Sequence, residues 1–565
     1  MKNKFMAVSC LAFACAFAFS ACGGDTPSTS ENGGNKGFIT QEVLDLGAEF
    51  KAAYYPVEEE IKQRQGQIDV AILFEGTEKG WEAVANEYMR LQSDAVVVKL
   101  DTNWTAGNYP DKLDQELSSS NTEWDIVQGN LASGNNTSTY CLNMYSSIST
   151  KNPYAGNKTW REVLSEDAYI SDKTGTSAQT YLMNSEGLQT AWFVNTVALE
   201  AAAAKGYKNA EGNAENPITW DDLMNLCAKM TEAGYENPLG ISVATDSVNA
   251  SQFTWLLRVY GDLYYRNEYN NIQTQGSTYE VDLTAEQPEA DEGFKISYPK
   301  LFNTILAEGK SANYVGGTSD KFQDFLKQFG KMREHLLTDA ATLSMAQVRS
   351  LFQTQSKGNA SPQIMLDYVG SGLSFAQSQT DTFKIDFFDY PMMESQYISE
   401  GTQIRDVGGN GGYLSIVQHG SAQNELTLDF MKFFMSPYGQ TIYYKGLSEA
   451  KASPKGLTLV DTSLVIVPTE WNEYFNTKKI SFTGLSDSNP YITFFVRALD
   501  SGSNSTAAAE DLWKKYLTGT GADKIDEVTF GGQWQDALML DWPKFCEDRS
   551  WNKECYLNPN QDETN

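Results

Sequence analysis

The residue types that most often carry catalysis are thinly spread along this chain. It contains two histidines, His335 and His419, so a His-based metal centre or a His-activated nucleophile has almost no material to draw on. No Gly-x-Ser-x-Gly elbow occurs, and the cysteines lack zinc-type spacing. The 73 Asp and Glu residues guarantee adjacent carboxylates somewhere, so a pair such as Asp221–Asp222 is no sign of general acid–base work. Gly408-Gly409-Asn410-Gly411-Gly412 is glycine-rich, but neither Lys-Ser/Thr nor a helix start follows, which excludes a nucleotide cradle. No metal and no cofactor is expected. What remains is binding chemistry: polar side chains in turns, and many aromatic rings.

Those polar side chains need elements to present them. Ile68–Phe74 is an apolar run of strand length, followed by a Gly-containing turn at 75–80. Trp81, Val84, Ala85, Tyr88 and Leu91 then recur at helical spacing. Ala95–Leu100 reads as a second strand, Tyr109–Leu117 as a second helix and Trp124–Val127 as a third strand. This alternation predicts a parallel sheet with helices on its faces, an α/β fold. Open sheets of that kind bind ligands beyond the C-terminal ends of their strands. Glu75, Lys79 and Trp81 follow the first strand, and Gln128, Gly129 and Asn130 follow the third; these are candidate ligand contacts. Trp81 is the weakest of them, because its spacing with Val84, Ala85 and Tyr88 suits a core position.

The N-terminus predicts export. Lys2 and Lys4 precede an apolar run from Phe5 to Phe19, too short for a lasting membrane anchor. Phe19-Ser20-Ala21-Cys22-Gly23 resembles a bacterial lipobox, with Phe19 where Leu is usual; the resemblance implies cleavage after residue 21 and a lipid on Cys22. Residues 23–37 hold Gly, Ser, Thr, Asn and Pro with no large apolar side chain, the composition of a flexible tether. A net charge of −30 removes nucleic acid from the expected partners and suits solubility outside the cell. Cys141, Cys227, Cys546 and Cys555 remain after the signal and the lipidated position. The last two are close enough to close a loop in an oxidising compartment, and pairing of the first two is open.

Several blocks, in order, resemble the extracellular solute-binding proteins (family 1) of ABC sugar importers. The opening strand–helix–strand–helix pattern ends in Trp124-Asp125-Ile126-Val127, where the family usually has Pro in place of Trp124. Thr190–Ser242 carries the more recognisable block, with Val194-Asn195 ending a strand, then Gly206, then Pro217-Ile218-Thr219-Trp220-Asp221-Asp222 opening a helix. Thr219 suits the N-cap and the two Asp suit the positive helix end, so these residues serve the fold. Leu351–Gly372, Phe383–Pro391, Gly408–Ile416 and the helix Ala422–Met435 followed by Ser436-Pro437-Tyr438-Gly439-Gln440 continue the family order. Together the blocks cover most of residues 67–520. Segments near 131–185 and 263–320, rich in Asn, Ser, Thr, Gly and Tyr, read as long surface loops inserted in this scaffold.

The resemblance implies a two-lobe periplasmic-binding-protein-like fold of type II, hinge-linked, with the ligand in the cleft between lobes. The expected organisation is a signal peptide at 1–21 and a tether at 22–37. Lobe 1 takes 38–187 and returns at 410–460. Lobe 2 takes 188–409 and the C-terminal helices at 461–565. It implies a monomer that binds a carbohydrate, an oligosaccharide by preference, and presents it to permease subunits while held to the membrane by the N-terminal lipid. Sugar recognition needs aromatic faces for the ring C–H groups and planar polar groups for the hydroxyls. By family position, Tyr368 (beside Gly370 and Ser371), Asn410, Tyr491 and Arg497 join the candidate contacts; the family's Trp after Gly-Ser is absent here. Two rival readings share parts of this evidence. An exported glycan-active enzyme would turn over a chromogenic glycoside. A helical-repeat surface glycan-binding lipoprotein would show almost no strand by circular dichroism.

Overall fold

The computed structural model describes residues 54–548 apart from 106–107, 120, 166–167, 170–177, 244–251, 279, 285–296, 309–311, 406, 462–463 and 468–502. The chain divides into two units, Met1–Lys36 and Gly37–Asn565, and all described residues belong to the second. The lipobox with Cys22, the tether, Tyr491, Arg497 and Cys555 lie outside the described residues, as does the side chain of Cys546.

Among the described residues nine strands share one sheet, in the order β2-β1-β3-β8-β4-β6-β5, with β7 and β9 also paired to β4. They are β1 (Gly66–Ala71), β2 (Val96–Leu100), β3 (Ile126–Gln128), β4 (Met183–Asn195), β5 (Leu239–Gly240), β6 (Ile364–Tyr368), β7 (Ile385–Phe388), β8 (Gly408–Ile416) and β9 (Leu457–Thr458). The main helices are α1 (Glu78–Leu91), α2 (Tyr109–Ser118), α3 (Thr196–Ala204), α4 (Trp220–Glu232), α5 (Gln252–Tyr265), α6 (Tyr298–Ile305) and α7 (Asp320–Gly330). They continue as α8 (Met345–Thr354), α9 (Val369–Gln377), α10 (Ser421–Phe434), α11 (Pro437–Glu449), α12 (Ser503–Thr518) and α13 (Glu527–Asp548).

The predicted parallel start is present: β1 pairs in parallel with β2 and with β3, and α1 and α2 connect them. The expected strand at Trp124–Val127 is shorter and shifted, because Trp124 leaves the ladder to stack on Tyr109 at 5.9 Å. Asp125 sits beneath this sheet and accepts hydrogen bonds from the Asp69 amide and the Gln423 side chain, both at 2.8 Å, tying β1, β3 and α10 together.

β4 decides the architecture. At thirteen residues it is long enough to serve two lobes. Met183–Gln189 pairs with β8 and, at Glu186–Gly187, with β9, which joins it to the half-sheet containing β1, β2 and β3. Thr190–Asn195 pairs instead with β6 and β7, and β5 follows β6. One continuous strand therefore leaves one lobe and enters the other. Gly408-Gly409-Asn410-Gly411-Gly412 forms the start of β8 beside it, with Asn410 opposite Gly187. Gly456 must stay a glycine where the chain just ahead of β9 meets β4, since a Cβ there would fall 2.4 Å from the Gly187 carbonyl oxygen.

The Thr219 helix start is formed as expected. Its hydroxyl accepts from the Asp222 amide at 3.1 Å, and the Asp222 carboxylate accepts from the Thr219 amide at 2.9 Å, a reciprocal capping box. The two segments expected to be surface loops differ from that reading. In the first, short helical turns bury Tyr154 and Trp160. In the second, Tyr264, Tyr265, Tyr269 and Ile272 are core residues. There Arg266 and Arg405 both pair with the buried carboxylate of Asp262, with ion-pair contacts of 2.5 and 2.7 Å. High aromatic content allows these segments to bury area despite their Asn, Ser and Gly. Cys141 and Cys227 are both free, buried thiols, each with its pKa pushed up by desolvation.

Candidate functional site

The first half of the site grows from the end of β1. Thr77 closes the turn by donating its hydroxyl to the Phe74 carbonyl at 2.6 Å. The turn forces two successive residues into the left-handed region, Glu75 at φ +50° and Gly76 at φ +96°. Gly76 adopts this freely, but a glutamate there is held at a cost of about 1 kcal/mol or more. The strain aims Glu75 at Lys455, which pairs with it at 3.0 Å and also donates to the Leu73 carbonyl at 2.6 Å. Lys455 lies just ahead of β9, so this contact joins the end of β1 to a crossing segment.

Behind the pair lies Glu186, on the crossing portion of β4. It is fully enclosed and accepts a hydrogen bond from Tyr443 of α11 at 2.7 Å. Desolvation pushes its pKa up to about 6, against the opposing pull of Lys455, the Tyr443 hydroxyl and the Gly456 amide, with Glu75 adding a smaller upward push.

The other half comes from β6, α8 and α5. Arg349 of α8 grips Asp367 of β6 through two parallel bonds of 2.5 and 2.7 Å. Burial works against the guanidinium charge, and Asp367 more than restores it, so the Arg349 pKa is raised. Asp367 also accepts from the Tyr368 amide at 2.9 Å, which fixes the end of β6. Tyr368 is half-buried, with its ring 4.7 Å from that of Trp255 on α5. Desolvation, then the negative charges of Asp367 and Glu75, push its phenol up to about 12, against Arg349 and Arg258. Glu75 thus reaches electrostatically from the first lobe to Tyr368 and Arg349 of the second.

The cluster offers what a polyhydroxylated ligand requires: an aromatic ring (Tyr368, supported from behind by the buried Trp255), a neutral phenol able to donate or accept, a guanidinium and carboxylates. Among the described residues no group of His, Cys, Asp and Glu could hold a metal ion.

Of the residues proposed from sequence, the structure brings Glu75 and Tyr368 to this cluster. Trp81 is corrected to a core residue: it is 3% exposed, stacks on Phe434 at 4.1 Å and meets Phe74 and Tyr443 edge-on. Lys79 stands exposed on α1, paired with Glu82 at 2.6 Å. Gln128 is buried at the end of β3, where its side-chain oxygen accepts from the Leu73 amide at 3.3 Å, so it buttresses the Glu75 turn. Asn130 is exposed in the short turn after β3. Asn410 lies on β8, with its side chain outside the described residues. Trp255, Arg349, Asp367, Glu186 and Lys455 were not foreseen as site residues. Arg349 and Asp367 are 18 residues apart, and Lys455 and Glu75 are hundreds apart, so no local spacing announces either pair.

No protein-family model matches the chain, and no curated protein matches it either. Solved structures do. The SBP RafE in complex with raffinose aligns with a TM-score of 0.50 at 12% identity, covering 84% of this chain and 99% of that one. The fold is that of the extracellular solute-binding proteins. A family 1 extracellular solute-binding protein from Bifidobacterium longum subsp. infantis aligns at 14% identity and TM-score 0.46, over 84% of this chain and all of that one. The BlMnBP1 binding protein of an ABC transporter from Bifidobacterium animalis subsp. lactis ATCC27673, in complex with mannotriose, aligns at 13% identity and TM-score 0.45, over 91% of this chain and all of that one. β4 carries both half-sheets, with Glu75 beyond the end of β1 on one side and Tyr368 at the end of β6 on the other.

Proposed function

We propose that the protein is an extracytoplasmic, lipid-anchored binding component of an ABC importer, and that it holds a neutral carbohydrate, an oligosaccharide by preference, between its lobes. The observation that carries the reading is the cluster at the crossing strand, where the half-buried ring of Tyr368, backed by the buried Trp255, lies beside Arg349–Asp367 and Glu75–Lys455. Both cations already pair with carboxylates, which suits hydroxyl groups better than an anionic ligand. The ligand is bound and released without a bond being broken. Lobe 1 is assigned 38–187 and 410–460, and lobe 2 takes 188–409 and 461–565, with Tyr491 and Arg497 as further contacts. Cys22 carries the lipid, permease subunits are the partners and the protein acts as a monomer. Among the described residues no helix is long and apolar enough to cross a membrane, consistent with an N-terminal lipid as the attachment.

A thermal-shift screen of residues 38–565 tests this reading. Raffinose, mannotriose and other mono- and oligosaccharides are compared with amino acids and oligopeptides. A ligand binding only the folded state raises the melting temperature by mass action. A rise with a sugar supports the proposal, and a rise only with peptides or amino acids contradicts it.

A further inference from the structure

The parallel strands β1, β2 and β3 end on the same side of their sheet, yet the cluster around Glu75 uses only the turn after β1, buttressed from the end of β3. The chain leaving β2 carries a further aromatic, Trp104. Asp101 opens this loop, with its amide bonded to the Val70 carbonyl of β1 at 2.9 Å. Its carboxylate then fixes the loop. One oxygen accepts from the Trp104 indole at 2.7 Å, and the other accepts from the Asn103 side chain at 3.0 Å. The Trp104 ring meets Trp124 edge-on at 5.2 Å and Tyr109 at 6.2 Å. Tyr109 in turn donates its hydroxyl to the Ala71 carbonyl at 2.6 Å and accepts from the Gln128 amide at 2.9 Å. Gln128 holds the Leu73 amide, close in sequence to Glu75. A short run of contacts therefore leads from Trp104 to the Glu75 turn.

Packing accounts for only part of this arrangement. Tyr109 and Trp124 stack nearly parallel and are buried, whereas Trp104 stands across them and stays half-buried. Thr102, Asn103, Thr105 and Asn108 around it are exposed. A half-open indole ringed by hydroxyl and amide groups suits a sugar ring, which lays its C–H face on the aromatic and its hydroxyls on the polar neighbours. We propose that Trp104, oriented by Asp101, is an outer stacking platform for an oligosaccharide whose inner unit lies against Tyr368. Asp101 is a positioning residue, acting through the indole it holds. Trp104 follows β2 and Tyr368 ends β6, and the sheet order β2-β1-β3-β8-β4-β6 sets them five strand steps apart. That is roughly 24 Å along the sheet, so no single sugar ring touches both. The inference rests on the carbohydrate reading and narrows its ligand to chains of several units.

Titration calorimetry with gluco-, manno-, xylo- and chito-oligosaccharides of one to five units tests the platform. Trp104→Ala should weaken binding of the longer chains about ten-fold and leave single units unchanged. Trp104→Phe, which keeps a ring, should recover most of that loss. Asp101→Ala should weaken the same chains about three-fold in the wild-type background and add nothing to Trp104→Ala, as a residue acting through another must. An aspartate that merely supports the fold would lower affinity in both backgrounds. If Trp104→Ala fails to fold, Trp104→Leu, which keeps apolar bulk without a ring, takes its place. Wild-type binding confined to single units, or binding of longer chains that Trp104→Ala and Trp104→Leu leave unchanged, would overturn the platform while the carbohydrate reading stands. No binding of any of these sugars by the wild-type protein would overturn the platform and count against the carbohydrate reading as well.

Discussion

Glu186 is a carboxylate in the wrong solvent. Its folded pKa of about 6 lies above the ordinary 4.5, so the folded state holds its proton more tightly than the unfolded chain does. The stability it contributes is fully present below about pH 4.5 and is lost as pH rises through 6. Above that pH the ionised group costs about 2 kcal/mol. Glu186→Gln should therefore stabilise the protein at pH 7.5 by up to about that amount, with the gain vanishing near pH 4.5. Paired urea melts at the two pH values check this, and equal effects at both would refute it. Lys455, Tyr443, Tyr444 and Glu75 face the group and shape its titration. Tyr368 is the corresponding test on the ligand side. Tyr368→Phe keeps the ring beside Trp255 and removes one hydroxyl, so sugar affinity should fall about ten-fold with little change in melting temperature. Titration calorimetry on both proteins reads the difference. At this scale the sequence was partly legible. Glu75 is named from its place in the turn after the first strand, and Tyr368 from its place in the family order. Arg349, Asp367 and Lys455 could not be named, because their partners become neighbours only after folding.

Elements were easier to read than residues where periodicity was strong. The spacing of Trp81, Val84, Ala85, Tyr88 and Leu91 places α1 correctly, and the Thr219 capping box places the start of α4. The same periodicity explains the correction at Trp81: a ring on the inner face of a helix packs before it binds. Spacing could not reveal how closely α1 approaches α11. Gly446 allows it, since a Cβ there would lie 2.6 Å from the Ala83 Cβ and 2.8 Å from the Lys79 carbonyl oxygen. Gly446→Ala should cost about 1–3 kcal/mol by forcing the helices apart, despite alanine's better helix propensity. A denaturant melt measures this, and an unchanged or raised midpoint would contradict the close packing. The segments near 131–185 and 263–320 read as surface loops because polar and small residues dominate them. Their aromatic residues carry the packing instead, which composition counted but could not locate.

At the scale of the molecule, β4 is the element that joins the two half-sheets. The run from Met183 to Asn195 forms one long strand, of which the sequence marks only the end at Val194-Asn195, and its partners show that it serves two lobes. Gly456 lets the passage ahead of β9 lie close against it, and β8 pairs along its first half. Polar groups from both sides converge there, and closure would enclose a ligand among them. The most direct test of the central claim is calorimetric titration of the soluble protein with the sugar selected by the thermal screen, followed by chromatography of the sugar recovered after the run. One sugar should bind per protein and be returned unaltered. No binding heat with any carbohydrate, or recovery of cleaved sugar, would contradict it.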